Sequence, residues 1–348
     1  MSQFSRRQVL LGSVGVLGLG ALAACGGNSG TGTGTTTPAE GASTPAGTTQ
    51  TPQTIDKIKV GYIADGNGSM LVTIAEKQGL WAKHGLEAET LSFTNGPLQI
   101  QALGTKDIDF GYIGFGALWL PMSGKAKVVS VNSNGRADRI LGQPGIKTMA
   151  DLKGKKVGVP EGTSGDILLS LALEAAGMTV DDIERVPMDP PTTVSAFISG
   201  QIEGAAIWYP HVETILKQKP DTVEIVKSAD FPNLAFPACQ VAAPEITDRP
   251  EILKKFQAVQ KEAFTWAAAN REELNGMLAT FLDIPADSIT SEQSFVDVLT
   301  PEDVVAKTKD GTIEKWFTTL NEHFVKAGKL EGITPVADYW LSTQYEAA

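Results

Sequence analysis

The residue types best suited to chemistry lie in a turn, Gly162-Thr163-Ser164-Gly165-Asp166, which follows a short apolar stretch and precedes an apolar helix pattern. Its glycines can adopt positive φ without steric cost, and Thr163, Ser164 and Asp166 are residue types that cap helices. Free backbone N–H groups and the positive end of the helix dipole attract an anion. The turn therefore predicts either an anion-binding site or an ordinary capped connection between a strand and a helix.

Similar turns follow other predicted strands, which favours the interpretation as a site. Residues 58–63, 86–93 and 108–113 read as strands, and each runs into a glycine-bearing turn and the start of a helix. In parallel α/β sheets such turns lie together at the carboxyl ends of the strands, where ligands bind. The first half of the chain therefore predicts a rim of N–H donors.

The alternation of strand and helix runs twice along the chain, which predicts an α/β protein of two lobes. We assign residues 55–136 and 232–348 to lobe 1, and residues 137–231 to lobe 2. Residues 132–147 are expected to be irregular and to lead into lobe 2, and residues 238–243 to return as a strand of lobe 1. The rest of the chain is expected to be helical scaffold, because its apolar spacing fits helices packed on a sheet.

Residues 1–24 predict an export signal. Arg6 and Arg7 precede an apolar run of fifteen residues, which has the length of a signal-peptide core and is short for a membrane span. The segment around the arginines resembles a twin-arginine signal, with a general secretory signal as the alternative. Leu22-Ala23-Ala24-Cys25 resembles a bacterial lipobox. It implies lipidation of Cys25 and anchoring at the outer face of the cell membrane.

The remaining amino-terminal residues, 25–54, predict a flexible tether. They are rich in Gly, Thr, Ser and Pro and carry one charge, at Glu40, so they cannot bury a core. A tether of this kind holds a domain near a membrane while leaving it free to turn.

Charge and cysteine content limit the possible partners. The formal net charge is −11, and loss of residues 1–24 would remove two arginines and no acid. An acidic protein is not drawn to nucleic acid or to an anionic membrane surface. Cys25 and Cys239 are the only cysteines, so if Cys25 is acylated the fold has no disulfide and depends on its core.

Motifs for catalysis or metal binding are not apparent, and we predict no cofactor, metal ion or catalytic residue. His84, His211 and His323 are far apart, and no CxxC motif or acidic cluster has metal-ligand spacing. Of the three, His211 follows a predicted strand end and is a candidate for ligand contact. An enzyme needs a poised acid, base or nucleophile. The sequence therefore favours a binding protein over an enzyme.

Five segments in register resemble the substrate-binding proteins of ABC importers for sulfonates, taurine and nitrate, which share a domain family with thiamine-pyrimidine precursor synthases. The segments are Gly61-Tyr62 with the turn after them, Asn95-Gly96-Pro97 with Ala102-Leu103, Gly104 through Asp107-Ile108-Asp109-Phe110 to Gly114, Asp151-Leu152-Lys153-Gly154-Lys155-Lys156-Val157 with Gly162-Thr163-Ser164, and Ser199-Gly200 through Ile207-Trp208-Tyr209-Pro210. The resemblance covers about residues 57–243. It implies a periplasmic-binding-protein-like fold of type II, a ligand in the cleft between hinge-linked lobes, and recognition of the closed form by a membrane permease.

The resemblance also implies which turn residues contact the ligand. They are Asp65, Gly66, Asn67, Asn95, Gly96, Gly114, Phe115, Gly116, Thr163, Ser164, Gly165, Trp208 and Tyr209. The chain departs from the family pattern by placing rings at Phe115, Tyr209 and His211. Aromatic walls contribute through contact area and stacking, so they favour an organic ligand with an apolar body over nitrate.

Our hypothesis from the sequence is a small organic anion, of aliphatic sulfonate or taurine type. Its anionic head would bind the amides of Thr163, Ser164 and Gly165, and the aromatic turns would hold its body. A monomer anchored by its lipid would deliver it to an ABC permease with a cytoplasmic ATPase. The alternatives are a binding protein for a pyrimidine, a thiamine precursor or another aromatic acid, and, in a different class, a pyrimidine-precursor synthase.

Four charged residues are further candidates for the site. Asp65 or Asp189 would pair with an amine if the ligand is zwitterionic, as taurine is. Arg136 or Arg139, near the predicted crossing between lobes, would supply a fixed cation or lie solvated at the hinge.

Overall fold

The computed structural model describes residues 55–348, which form two β-sheets flanked by helices. The predicted export signal, Cys25 and the tether lie outside the described residues. Within the described part, no helix is both long enough and apolar enough to cross a membrane.

The described residues contain eleven strands, which we number β1–β11 in chain order. They are Asp56–Ile63, Leu86–Phe93, Phe110–Ile113, Lys127–Gly135, Asp138–Gly142, Lys156–Val159, Glu184–Pro187, Gly204–Trp208, Val223–Lys227, Pro237–Ala242 and Val296–Val298.

The same residues contain thirteen α-helices, numbered α1–α13 in chain order. They are Met70–Lys77, Leu80–Lys83, Gly96–Gly104, Trp119–Met122, Ser164–Ala175, Pro190–Ile198, His211–Gln218, Pro250–Ala269, Arg271–Leu282, Ala286–Gln293, Pro301–Lys309, Thr312–Lys326 and Ser342–Ala347.

Each sheet has a parallel part extended by antiparallel strands. The first has the order β11-β4-β10-β3-β1-β2, with β1 parallel to β2 and β3 and with β10 antiparallel to β3 and β4. The second has the order β7-β6-β8-β5-β9, with β6 parallel to β7 and β8. The chain crosses between the sheets after β4 and again after β9. We call the first sheet with its packed helices lobe 1 and the second lobe 2, and both lie in one compact unit.

The cores follow from the apolar patterns of the strands and helices. The strand β3 is buried along its whole length, as expected for a central strand covered on both faces. Phe256 of α8 stacks on Phe110 of β3 with ring centroids 3.8 Å apart, and Val259 and Ala263 are buried beside it. The expected packing of this helix on the first sheet is confirmed.

The prediction of irregular structure at residues 132–147 was wrong. The strand β4 continues to Gly135, and β5 begins at Asp138. Asn132, Ser133 and Asn134 are residue types typical of turns, but here their side chains have partners within the fold. The hydroxyl of Ser133 donates to Asn67 Oδ1 at 3.1 Å, and Asn134 Oδ1 accepts from the Phe236 amide at 2.7 Å.

Candidate functional site

A cavity of about 70 Å³ lies between the two sheets, where turns from both lobes meet. Its walls come from the carboxyl ends of β1, β3, β6 and β8, as expected for a parallel α/β sheet. The lining residues are Ile63, Asp65, Asn67, Gly96, Pro97, Tyr112, Gly114, Phe115, Ala117, Gly135, Ala137, Asp138, Thr163, Ser164, Trp208, Tyr209, Phe236, Ala238, Glu292 and Val296.

Nine of the fourteen ligand-binding candidates from the sequence line this cavity. They are Asp65, Asn67, Gly96, Gly114, Phe115, Thr163, Ser164, Trp208 and Tyr209. The structure therefore brings turns that are more than a hundred residues apart in sequence to one place.

The other five candidates lie beside the cavity or away from it. Asn95 caps α3 by accepting from the Leu98 amide, and the exposed Asp189 caps α6 by accepting from the Thr192 amide. Gly116 and Gly165 lie where two backbone segments pack too closely for a side chain. A Cβ on Gly116 would lie 2.1 Å from the carbonyl carbon and oxygen of Thr163, and one on Gly165 would lie 2.5 Å from the Ala206 oxygen.

The fifth candidate outside the lining, Gly66, shows that the chain supplies its own hydrogen-bond acceptor at the first turn. The carboxylate of Glu292, on α10, accepts from the backbone amides of Gly66 and Asn67, both at 2.9 Å. The sequence predicted these amides as donors to a ligand. Burial raises the pKa of Glu292 well above its usual range, and the charge of Asp65 adds to the effect.

Asp65 is a buried carboxylate that is held by donors from both lobes. Its Oδ1 accepts from the Gly68 amide at 2.6 Å, and its Oδ2 accepts from Trp208 Nε1 at 3.1 Å. Burial raises the pKa of Asp65 to about 6, and these hydrogen bonds oppose the shift. The Trp208 bond ties the β1–α1 turn of lobe 1 to the end of β8 in lobe 2.

Asp138 is a second buried carboxyl group in the cavity wall, at the first position of β5. The residue is 5% exposed, and its Oδ1 has no hydrogen-bond donor among residues 55–348. Burial raises the pKa of Asp138 to about 7, while the Ser164 hydroxyl and the Arg139 guanidinium lower it and the charge of Asp65 raises it. An unpaired buried carboxyl group is costly.

The amino terminus of α5 contributes the donors predicted from the sequence. The hydroxyl of Thr163 donates to the Pro160 carbonyl at 2.6 Å, so this N-cap residue does not cap the helix through its side chain. The Gly162 amide donates to Asp166 within the turn. In the described part of the chain, the amides of Ser164 and Gly165 have no protein acceptor. Of these two residues, only Ser164 lines the cavity, so its amide is the one placed to meet a ligand.

The two arginines considered as fixed cations are engaged elsewhere. Arg139 is 3% exposed, and its Nε donates to Glu224 Oε2 at 2.8 Å. Its guanidinium also lies over the Tyr209 and Phe295 rings, 5.3 and 4.5 Å from their centroids. Arg136 is half-buried with its guanidinium over the Phe236 ring. Neither arginine lines the cavity.

Aromatic side chains form the apolar part of the wall. Phe115 packs against Phe236 with centroids 4.6 Å apart, and Trp208 meets His211 edge to face at 5.7 Å. Burial lowers the pKa of His211 to about 4, so its imidazole is neutral at physiological pH. His211 does not line the cavity, although it supports the Trp208 ring that does.

Sequence reasoning missed Asp138, Glu292, Tyr112 and Phe236 in the cavity wall. Asp138 lay in a stretch read as irregular, and Glu292 reaches the first turn from 226 residues away. The signal for Asp138 was an acidic residue two positions before a short apolar run, Ile140-Leu141. Among residues 55–348, no group of three acidic, histidine or cysteine side chains is placed to hold a metal ion.

Two α/β lobes that share a cavity at their strand ends define a periplasmic-binding-protein fold. The chain belongs to the NMT1/THI5-like family, whose model matches residues 67–274, more than half of the chain. The family resemblance and the fold class inferred from the sequence are therefore confirmed.

The chain is similar to several relatives that are named as binding proteins. It is 48% identical to a Brucella abortus protein whose name says only that it is a binding protein, over 83% of this chain and 92% of that one. It is 29% identical to an aliphatic sulfonates-binding protein of Escherichia coli K12, over 68% and 75% of the two chains. The identity to the taurine-binding periplasmic protein of the same organism is 21%, over 78% and 88%.

Solved structures share the fold. The periplasmic aliphatic sulphonate binding protein of Escherichia coli matches with a TM-score of 0.62 at 24% identity, over 84% of this chain and 99% of that one. A Candida albicans protein with the generic periplasmic binding protein fold matches with a TM-score of 0.67 at 13% identity, over 83% and 97%. A desulfurization enzyme matches with a TM-score of 0.61 at 15% identity, over 84% and 98%.

Proposed function

We propose that this chain is the extracytoplasmic solute-binding component of an ABC importer. It captures a small organic acid of the aliphatic sulfonate or taurine type between its lobes and delivers it to a membrane permease with its cytoplasmic ATPase. The observation that carries the proposal is the cavity of about 70 Å³ at the meeting point of turns from both lobes. The names of the sulfonate- and taurine-binding relatives support the solute class.

The amino terminus of α5 is the proposed seat of the acid group. The amide of Ser164, which lines the cavity, can donate to a sulfonate oxygen, and the helix dipole favours negative charge there. Phe115 and Trp208 line the same cavity and can cover an apolar chain.

Closure of the lobes would enclose the solute. Gly116 of lobe 1 packs directly on the backbone of Thr163 and Ser164 in lobe 2, and a Cβ there would meet them at 2.1 and 2.2 Å. A solute that contacts both walls binds the closed form better, and it shifts the equilibrium between open and closed forms by that difference. The permease would recognise the closed form.

Binding rather than catalysis is proposed for the cavity. Cys239, the cysteine of the described residues, is fully buried in β10, and burial raises the pKa of its thiol far above the usual range. Such a thiol is a poor nucleophile.

We further propose that residues 1–24 direct export and that Cys25 carries the lipid that anchors a monomer outside the membrane.

Calorimetric titration of the full chain tests this proposal. Taurine, ethanesulfonate, nitrate and benzoate would be compared, with binding expected for the two-carbon sulfonates and not for nitrate or benzoate. Ser164→Glu would place an acid at the proposed seat, and all sulfonate binding is expected to disappear. If no sulfonate binds, or if the Ser164→Glu chain binds sulfonates as before, the proposal is wrong.

A second candidate is a small amino heterocycle of the pyrimidine type. It is favoured by the carboxyl groups of Asp65 and Asp138, which can accept from ring amino groups, and by the rings of Phe115 and Trp208. The names of the sulfonate- and taurine-binding relatives favour the sulfonate class over it. Including an aminopyrimidine in the titrations decides between the two, since its stacking would survive in the Ser164→Glu chain.

A further inference from the structure

We propose that Asp65 of lobe 1 and Asp138 of lobe 2 together bind a positively charged ammonium group of the solute. The inference rests on the proposed function and names the class of solute within it. The solute is a small amine or zwitterion, such as an aminoalkanesulfonate, rather than a simple anion.

Burial and hydrogen bonding of Asp138 are the first support. Both Asp138 and Asp65 are 5% exposed and line the same cavity, yet only Asp65 has both oxygens paired within the protein. The buried Asp138 Oδ1 has no donor among the described residues. A native fold retains such a group when a donor arrives from elsewhere. An ammonium group supplies up to three donors and a compensating charge.

The charge balance of the cavity is the second support. Asp65, Asp138 and Glu292 line it, and its lining contains no lysine, arginine or histidine. Burial raises the pKa of Tyr112, and the charges of all three acids raise it further. The three acids are therefore close enough to influence the same neighbouring side chain. Like charges at close range in a buried site repel strongly. A solute with negative charge alone would add to that repulsion, whereas an ammonium group relieves it.

The distribution of turn donors is the third support. Glu292 already accepts from the Gly66 and Asn67 amides. Ser164 lines the same cavity, and its backbone amide has no protein acceptor in the described part of the chain. The Ser164 hydroxyl interacts with Asp138 and lowers its pKa. One acid group can lie at α5 with an ammonium group beside it, which is the arrangement of a zwitterion.

The proposal has a pH dependence whose sign can be derived. The groups that act on Asp138 are Asp65 from the β1–α1 turn, Ser164 from α5 and Arg139 from β5. Glu292 from α10 lines the same cavity. Since burial holds the pKa of Asp138 at about 7 and that of Asp65 at about 6, both carboxyl groups take up protons below these values. An ammonium ligand must displace those protons, so its affinity rises with pH across this range.

The test is a calorimetric comparison of taurine with isethionate, in which a hydroxyl replaces the amine on the same two-carbon sulfonate. Ethanolamine, which lacks the sulfonate, completes the series, and all are titrated into the full chain at pH 8. The proposal expects taurine to bind at least about tenfold tighter than isethionate, the effect of one charge-assisted hydrogen bond.

The variant Asp138→Asn keeps the shape of the side chain and removes its charge. Taurine is expected to lose about 10- to 100-fold in affinity while isethionate changes by less than threefold or gains. Asp189→Asn is the matched control, because Asn caps a helix as well as Asp and the change in charge is the same. Melting temperatures of both variants check that each is folded.

The outcomes separate the inference from the proposed function. If isethionate binds as tightly as taurine, the ammonium site is wrong and the sulfonate-binding function stands. If ethanolamine binds, Asp138→Asn weakens it and no sulfonate binds, the ammonium site stands and the sulfonate function is wrong. If neither amine binds at 10 mM, which is about ten thousand times a micromolar dissociation constant, the ammonium site is overturned.

Discussion

Charged side chains are paired at the outer part of the contact between the lobes, but not at its inner part, which is the cavity. At the outer part, acids and lysines pair across the lobes. Lys326 of α12 lies 2.5 Å from Glu174 of α5, and Lys329 lies 3.6 Å from Asp166. Inside, Asp138 has an unpaired oxygen, and the cavity lining holds three acids without a basic residue.

The difference shows which charges serve the fold and which await a solute. The outer pairs are complete without any addition, and they border a groove of about 600 Å³ whose lining includes both acids and bases. The inner acids are buried at a cost to stability that the protein alone does not recover. We therefore expect the inner acids to lower the stability of the ligand-free protein in return for solute binding. The outer pairs are not expected to lower it.

The largest expected effect comes from Gly116→Val, which breaks the inner contact itself. Its Cβ would lie 2.1 Å from the Thr163 backbone, so the lobes could no longer approach, and affinity for taurine should fall at least about 100-fold. Gly276→Ala in α9 is the control, because its added Cβ meets nothing within 4 Å. Calorimetry measures the affinity, and unchanged binding by the Gly116→Val chain would mean that closure does not form the site.

A tenfold effect is expected from Trp208→Phe, which removes the 3.1 Å hydrogen bond to Asp65 and keeps an aromatic ring. Loss of that donor leaves the buried carboxylate less well compensated and raises its pKa further. Taurine affinity at pH 7 should fall about tenfold and recover in part at pH 8. Trp316→Phe on α12 gives the comparison, since Trp316 does not line the cavity. An equal loss in both variants would contradict a specific role for Trp208.

A shift of a few degrees is expected in the melting temperature of the ligand-free Asp138→Asn chain. The folded-state pKa of Asp138, about 7, lies above its ordinary value, so the folded form holds the proton more tightly than the unfolded chain. Stability from this group is therefore fully present only below its ordinary pKa of 3.8, and it is lost as pH rises from there through 7. At pH 8 the variant should melt higher than the natural chain, and the difference should shrink as pH falls and disappear below about pH 4. A lower melting temperature at pH 8 would show that the charged form is well compensated.

The smallest effect is expected at the outer part of the contact. The side chains of Lys326 and Glu174 are 65% and 50% exposed, and exposed pairs contribute roughly 0–1 kcal/mol. Lys326→Ala should change taurine affinity less than about fivefold, and 0.5 M salt should abolish the difference because it screens exposed charges. A larger or salt-independent loss would mean that the outer pairs also form part of the site.

The sequence predicted the parts of the fold that depend on local sequence patterns. The turns after β1, β3 and β6 were found because glycines and capping residues follow apolar stretches there, and nine of the predicted residues line one cavity. The long helix α8 was found from its apolar period. These features depend on residues close together in sequence, so they can be read from it.

The rest depends on contacts between distant residues. The polar end of β4 resembles a loop because the partners of Ser133 and Asn134 lie at Asn67 and Phe236. Glu292 satisfies a turn 226 residues away, so the sequence could not show that its amides were already occupied. The division of the chain into residues 55–136 with 232–348 and residues 137–231 stays a proposal, which the membership of the two sheets supports.

The pH dependence of taurine affinity, measured by calorimetry from pH 5.5 to 8.5, tests the central claim most directly. If the inner acids bind an ammonium group, the affinity rises by up to about tenfold per pH unit between pH 6 and 7 and levels off above pH 7, with protons released on binding at pH 6. Below pH 6 the rise is steeper, because Asp65 must then lose a proton as well. Affinity that falls as pH rises would show instead that protonated acids donate to an anion, and it would contradict the account.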